Sequence, residues 1–161
     1  MFAGVPLLAA MTADVGYLHQ VAGREAQRTL MRGFTTVRDV GGPTFGLKKA
    51  ADEGFVPGPR IYPSGPLISQ TSGHGDFRML SELPREASAP LSHCERMKAA
   101  PIADRVDQVR LRTREQLMQG ASEIKVMAGG GVASSYYPLD VTQYSEEEIH
   151  AAVEAAEDWG T

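Results

Sequence analysis

Three short runs of β-branched and apolar residues, separated by stretches of helical composition, constrain this chain more than any other feature. The runs are Phe34-Thr35-Thr36-Val37-Arg38-Asp39-Val40, Arg60-Ile61-Tyr62-Pro63-Ser64 and Ser122-Glu123-Ile124-Lys125-Val126-Met127-Ala128. The first ends at Gly41-Gly42-Pro43 and the third at Gly129-Gly130-Gly131. Such runs, bounded by turn residues, read as short buried strands. The second is the weakest, because Pro63 lacks a backbone donor. Around them, Val21 to Met31 reads as a helix with Ala22, Glu25, Ala26, Leu30 and Met31 on one face, stopped by Gly33. Gly46 to Glu53 reads as a short helix broken by Pro57-Gly58-Pro59. Asp104 to Gln119 reads as a helix with Val106, Val109, Thr113 and Leu117 inward, stopped by Gly120. A last helix opens on Ser145-Glu146-Glu147-Glu148, a capping box, with Ile149, Ala152, Val153 and Ala156 as its apolar stripe. Helices alternating with strands specify an α/β fold with a parallel sheet.

In parallel α/β folds, both doubly wound sheets and barrels, chemistry collects at the strand C-termini. Here those ends carry Asp39, Gly41, the Gly73-His74-Gly75-Asp76 loop and Lys125 through Gly131. The stretch from Ser69 to about Pro101 is polar and long, which marks it as functional or disordered.

Composition narrows the partners. A net charge of −4 with no basic run argues against nucleic acid. The lone cysteine, Cys94, excludes an internal disulfide framework and makes a reducing, cytoplasmic setting the default. No apolar run is long enough to span a bilayer. The start, Phe2 to Met11, is apolar but lacks a basic leader region, so it reads as a loop and the first turn of a core helix.

Three segments taken in order resemble one family. They are Gly33 through Gly42, then Thr71-Ser72-Gly73-His74-Gly75-Asp76, then Gly120 through Val132, with Gly58-Pro59-Arg60-Ile61 joining the first two. The set resembles the imidazolonepropionase-like branch of the amidohydrolase superfamily, which includes Xaa-Pro dipeptidases. The resemblance runs from Gly33 to the end, about four-fifths of the chain. It implies a (β/α)8 barrel, of which residues 1–161 are a middle portion: about strands two to four with their helices, forming a partial TIM barrel. A whole barrel of this kind runs to roughly 250 residues.

The resemblance also implies an activity, the metal-dependent hydrolysis of amide or peptide-like C–N bonds by a metal-activated water. The family centre holds divalent metals, often two zinc ions, bridged by a carboxylated lysine and completed by a His-x-His pair, two further histidines and an aspartate. Lys125 matches the lysine and carries both the metal and the catalytic expectation. A neutral amine adds carbon dioxide to become a two-oxygen carbamate, and burial between Ile124 and Val126 would favour that neutral form. The alternative is a lysine whose stem packs in the sheet while its head pairs with a carboxylate. No His-x-His occurs, and His19, His74, His93 and His150 do not match the other ligand positions. His74 matches the histidine that holds a substrate carboxylate, which suits a dipeptide-like or other small-molecule substrate; the alternative is a surface-turn histidine.

Arg38 and Asp39 read either as hydrogen-bonded support for the metal site or as a structural ion pair at the barrel rim. Two readings outside the enzyme class stand beside these. A partial barrel exposes two unpaired sheet edges, which invite self-association or a complementary barrel fragment. The Gly129-Gly130-Gly131 run before a helix would fit a phosphate site, but no phosphate-loop pattern accompanies it.

Overall fold

A computed structural model describes residues 5, 6, 9, 12–85, 89–132, 134 and 136–161. Most of the apolar start, Phe2 to Met11, lies outside the described residues. The elements in order are α1 (Val15–Met31), β1 (Thr36–Asp39), α2 (Phe45–Asp52), β2 (Arg60–Pro63), a 3-10 turn (Leu80–Glu82), α3 (His93–Arg96), α4 (Val106–Met118) and α5 (Glu146–Glu157). β1 and β2 pair in parallel, with Thr36 opposite Arg60 and Asp39 opposite Pro63. Parallel neighbours joined through α2 are the repeating unit of a (β/α)8 barrel, and the fold is a partial, open arrangement of that kind.

The third expected strand is present only in reduced form. Ser122–Ala128 makes no ladder; it meets the chain through the parallel bridge Ile68↔Val126. The Ile68 amide donates to the Lys125 carbonyl and the Met127 amide to the Ile68 carbonyl, both at 2.9 Å. Below that bridge, the Ser122 amide donates to the Pro63 carbonyl at 2.8 Å. The register is that of a third parallel strand. The ladder breaks because Ser64-Gly65-Pro66 interrupts its neighbour after β2, and Pro66 has no N–H to offer.

Two clusters hold the layers together. Ala22 and Ala26 of α1, Leu47 of α2 and Ile61 of β2 form the first, with Val37 against them. Ile68, Ala103, Val109 of α4, Tyr144 and Ala152 of α5 form the second, with Ile124 and Val126 packed against it. Fully burying an isoleucine such as Ile61 or Ile68 contributes roughly 1.5–3 kcal/mol. The Arg110–Glu154 ion pair, at 2.6 Å, ties α4 to α5.

Several expected faces shift. The buried face of α1 is Leu18, Ala22 and Ala26, and Met31 is exposed. Helical pitch explains this: Met31 lies about 140° around the helix from Ala26. In α4, Val109, Thr113 and Leu117 point inward as expected and Gln116 joins them, while Val106 at the first turn is exposed. In α5 the buried residues are Ala151, Ala152 and Ala155; Ile149 and Val153 are exposed. The alanine side lets α5 approach α4 closely, and the larger aliphatics are left outside. Its capping box forms as expected: the Glu148 amide donates to Ser145 Oγ (3.3 Å) and the Ser145 amide to Glu148 Oε2 (2.7 Å).

The strands are also less buried than a parallel strand covered on both faces. β2 alternates, with Ile61 and Pro63 buried and Arg60 and Tyr62 exposed, and β1 shows Thr36 and Arg38 exposed. Only the helix-packed face is covered. The other face is the one that lines a barrel interior.

Candidate functional site

Strand alternation places the key lysine. Ile124 and Val126 pack toward the helices, so Glu123 and Lys125 belong to the opposite, interior face. An ion pair agrees with this: Arg38, on the open face of β1, pairs with Glu123 across the sheet. Arg38 thus pairs with a carboxylate two residues before Lys125. Asp39 is buried, and its carbonyl accepts the Ser64 amide at 2.9 Å. Lys125 itself is half-buried rather than enclosed. Its head makes no hydrogen bond or ion pair among the described residues.

His74 meets the same segment at its far end. A Cβ placed on Gly131 would lie 2.2 Å from His74 Cε1, 2.5 Å from Nδ1 and 2.7 Å from Nε2. The imidazole thus lies flush against the backbone that follows Lys125, and only glycine leaves room for it. The ring is half-buried, and its Nδ1 is enclosed without a hydrogen-bond partner among the described residues. A Gly131→Ala variant is expected to displace the ring, visible as loss of the nuclear Overhauser contacts between His74 and residue 131, while the α4 resonances stay in place.

The loop bearing His74 is rigidly held, not disordered. Asp76 and Arg78 form a buried bidentate pair, with Arg78 Nε donating to Asp76 Oδ1 (2.8 Å) and Nη2 to Oδ2 (2.6 Å). Their side chains are 5% and 7% exposed. The Ser72 amide donates to Asp76 Oδ2 at 2.8 Å, and Arg78 Nη2 also reaches Thr71 Oγ1 at 3.0 Å. Thr71 in turn donates to Asp104, from its amide at 2.6 Å and its hydroxyl at 2.7 Å. Burial pushes the Asp76 pKa up, but the hydrogen bonds from Arg78 and Ser72 outweigh it and hold the carboxyl below its ordinary value.

Sequence patterns do not single out the residues that brace this loop. Thr71, Asp104 and Gln143 belong to no catalytic motif, and Asp76-x-Arg78 is a spacing too common to signal a pair. Farther along, Arg85 pairs with Glu95, which also caps α3 through Ser92. Arg78, Arg85, Arg105 and Arg112 line a cavity of about 310 Å³. Each already faces a carboxylate, on Asp76, Glu95, Asp107 and Glu115 respectively.

The remaining candidates stay apart. His150 is an exposed residue of α5 beside Glu154, and the His93 amide reaches Glu82. Cys94 is buried and donates to the Phe77 carbonyl at 3.2 Å; burial pushes its thiol up to about 11. That is a structural thiol, not a poised nucleophile. The glycine run beyond Lys125 receives His74 at Gly131 and an antiparallel bridge from Thr142 at Gly129. Its use is close packing of backbone.

The donor set was weighed against the binuclear centre that the resemblance implies. Among the described residues, no group of three or more His, Cys, Asp or Glu side chains stands where it could hold a metal ion. These residues do not by themselves fit such a centre.

Comparison with known proteins bears on the same segments. Ochratoxinase of Aspergillus niger is 38% identical over 142 residues, which is 83% of this chain and 28% of that protein. The crystal structure of a prolidase complexed with N-methylphosphonate-L-proline is 42% identical, with a TM-score of 0.85 over 95% of this chain and 37% of that one. A Xaa-Pro dipeptidase with methionine bound in its active site is 28% identical, with a TM-score of 0.76 over 99% of this chain and 37% of that one. This chain therefore spans between 28% and 37% of these relatives' length. The amidohydrolase family model matches residues 6–161, and the chain belongs to the amidohydrolase family.

Proposed function

We propose that this chain is the Lys125-bearing part of a metal-dependent amidohydrolase barrel domain that hydrolyses amide or peptide-like C–N bonds. The observation that carries the reading is the position of Lys125: interior face, strand C-terminus, no carboxylate partner among the described residues. A lysine left half-buried, with no partner among the described residues, beside the Arg38–Glu123 pair is accessible to carbon dioxide. Its carbamate would supply two oxygen donors to divalent metals, with zinc the first to test. Such metals, when bound, lower the pKa of a water nucleophile and polarise the scissile carbonyl. The other ligands must come from residues that this chain does not carry.

His74 is the substrate-binding residue in this reading. Its half-buried imidazole packs against Gly131, and an imidazole N–H left open to solvent is a donor suited to a carboxylate. The relatives described as prolidase and Xaa-Pro dipeptidase favour a dipeptide-like substrate with a free C-terminal carboxylate.

The test is a chimera in which this chain replaces the matching segment of the A. niger ochratoxinase, which supplies the missing parts of the barrel. The expected result is stoichiometric metal and measurable amide hydrolysis. A folded chimera with less than one metal per chain would overturn the reading.

A second reading concerns the isolated chain. β1 has a paired strand on one side only among the described residues, and Met31, Phe34 and Val40 near it are exposed. An unpaired edge with apolar neighbours recruits another strand. The expected result in size-exclusion chromatography is concentration-dependent self-association. A monomer at all concentrations, with cooperative unfolding, would count against it. No described helix is long and apolar enough to cross a membrane.

A further inference from the structure

Gln143 lies three residues before α5 and is one of the residues that brace the His74 loop. It is fully buried, as is Ser69. Burying a primary amide is costly unless its donor and acceptor are both used. Here both are used, and on different segments. Gln143 Nε2 donates to the Gly129 carbonyl at 2.9 Å, just beyond the Lys125 strand. Gln143 Oε1 accepts from Ser69 Oγ at 3.4 Å. Ser69 Oγ accepts in turn from the Gly75 amide at 3.1 Å, the residue next to His74. On the other side of His74, a Cβ on Gly73 would lie 2.6 Å from Gln143 Oε1 and 2.5 Å from Ser69 Oγ. The loop therefore closes on the Gln143–Ser69 pair from both sides of the histidine.

The backbone adds a second hold on the same residue. The Gln143 amide donates to the Ala128 carbonyl at 3.1 Å, and the next amide, of Tyr144, donates to Gln70 Oε1 at 3.1 Å. One buried side chain thus connects the strand that carries Lys125, the Ile68-Ser69 segment and the loop that carries His74.

We infer that Gln143 is a positioning residue that sets where His74 stands relative to the Lys125 segment, acting through Ser69 and the Gly75 amide. The inference deepens the proposed function and rests on His74 being the carboxylate-holding residue. A single amide placed this way fixes the separation between the lysine end and the carboxylate-binding end of the site. It would thereby help set how long a substrate fits between them.

The experiment uses this chain with NMR-detected amide exchange, on Gln143→Leu, Gln143→Glu and Ser69→Ala variants. Losing one hydrogen bond of ordinary strength corresponds to about a tenfold change in local opening. In Gln143→Leu and Ser69→Ala, Gly75 exchange is expected to rise about tenfold relative to the α4 amides of Val109 and Leu117, and the His74–Gly131 Overhauser contact to weaken. Gln143→Glu keeps an acceptor for Ser69 and is expected to retain Gly75 protection. A purely structural role would raise exchange at Gly75 and in α4 by the same factor, and that result, or an unchanged Gly75, overturns the inference. If Gln143→Leu does not fold, Gln143→Met decides by the same comparison, since Ser69→Ala removes the Gly75 acceptor directly. Titration of N-acetyl-L-proline into the Gln143→Leu, His74→Ala and double variants of the chimera separates the two ideas. A Gln143 effect that disappears in the His74→Ala background supports positioning through His74, and one that persists there overturns it. Full-strength binding by His74→Ala would remove the carboxylate role and with it the positioning claim, even if the exchange results hold.

Discussion

Replacing Lys125 with alanine in the metal-loaded chimera is expected to lower kcat/KM about a thousandfold, because metal-ion stabilisation is worth several kcal/mol and each ~1.4 kcal/mol is tenfold. The loss should appear with a loss of bound metal, since the substitution would remove the carbamate's oxygen donors. It should fall on kcat more than on KM, because the lysine does not contact the part of the substrate that His74 holds. Substituting arginine should be as damaging as alanine: a guanidinium cannot be neutralised at neutral pH and cannot accept carbon dioxide. Retention of metal and rate in either variant would remove Lys125 from the chemistry.

The second large effect is on stability. Asp76→Ala leaves Arg78 as an unpaired charge at a site where its side chain is 7% exposed. Removing one member of a buried pair costs about 3–5 kcal/mol. For a chain of this length that corresponds to a fall in Tm of roughly 10 °C, read by thermal denaturation. The pair also sets an acid limb. Because the folded Asp76 carboxyl titrates below its ordinary value, its stabilisation is complete above the unfolded pKa of about 3.9 and is lost as pH falls through the folded value. Glu95 behaves in the same direction: burial raises its pKa, but the Ser92 hydrogen bonds and Arg85 outweigh that. Stability should therefore decline steeply in acid, and Asp76→Asn should flatten part of that decline.

The sequence made the alternation legible because helical and strand periods are local properties. α2, α4 and the Ser145 capping box appear close to where composition and turn residues place them. What was not legible depends on neighbours. Ile149 and Val153 read as an inner stripe, yet α5 buries the alanines that allow close approach to α4. Ser122–Ala128 reads as a strand, yet its ladder is cut because Pro66, on the neighbouring segment, has no donor.

The same division holds at the site. Motif order singles out Lys125 and His74, and the roles given to them belong to the proposed function. The loop from Ser69 onward was visible only as length and polarity; the Asp76–Arg78 pair and the Thr71–Asp104 bonds that brace it are long-range contacts. Gln143 carried no signal at all, because a lone glutamine before a capping serine resembles any polar loop residue until its two partners are brought to it.

The central claim is that Lys125 carries a carbamate on the interior face of the barrel. Carbon-13 NMR of the metal-loaded chimera, prepared in ¹³C-labelled bicarbonate, tests it most directly. The account predicts a single carbamate carbon resonance that is absent from the Lys125→Ala variant and disappears when the metal is stripped. A fully metallated, active chimera with no carbamate signal would contradict it.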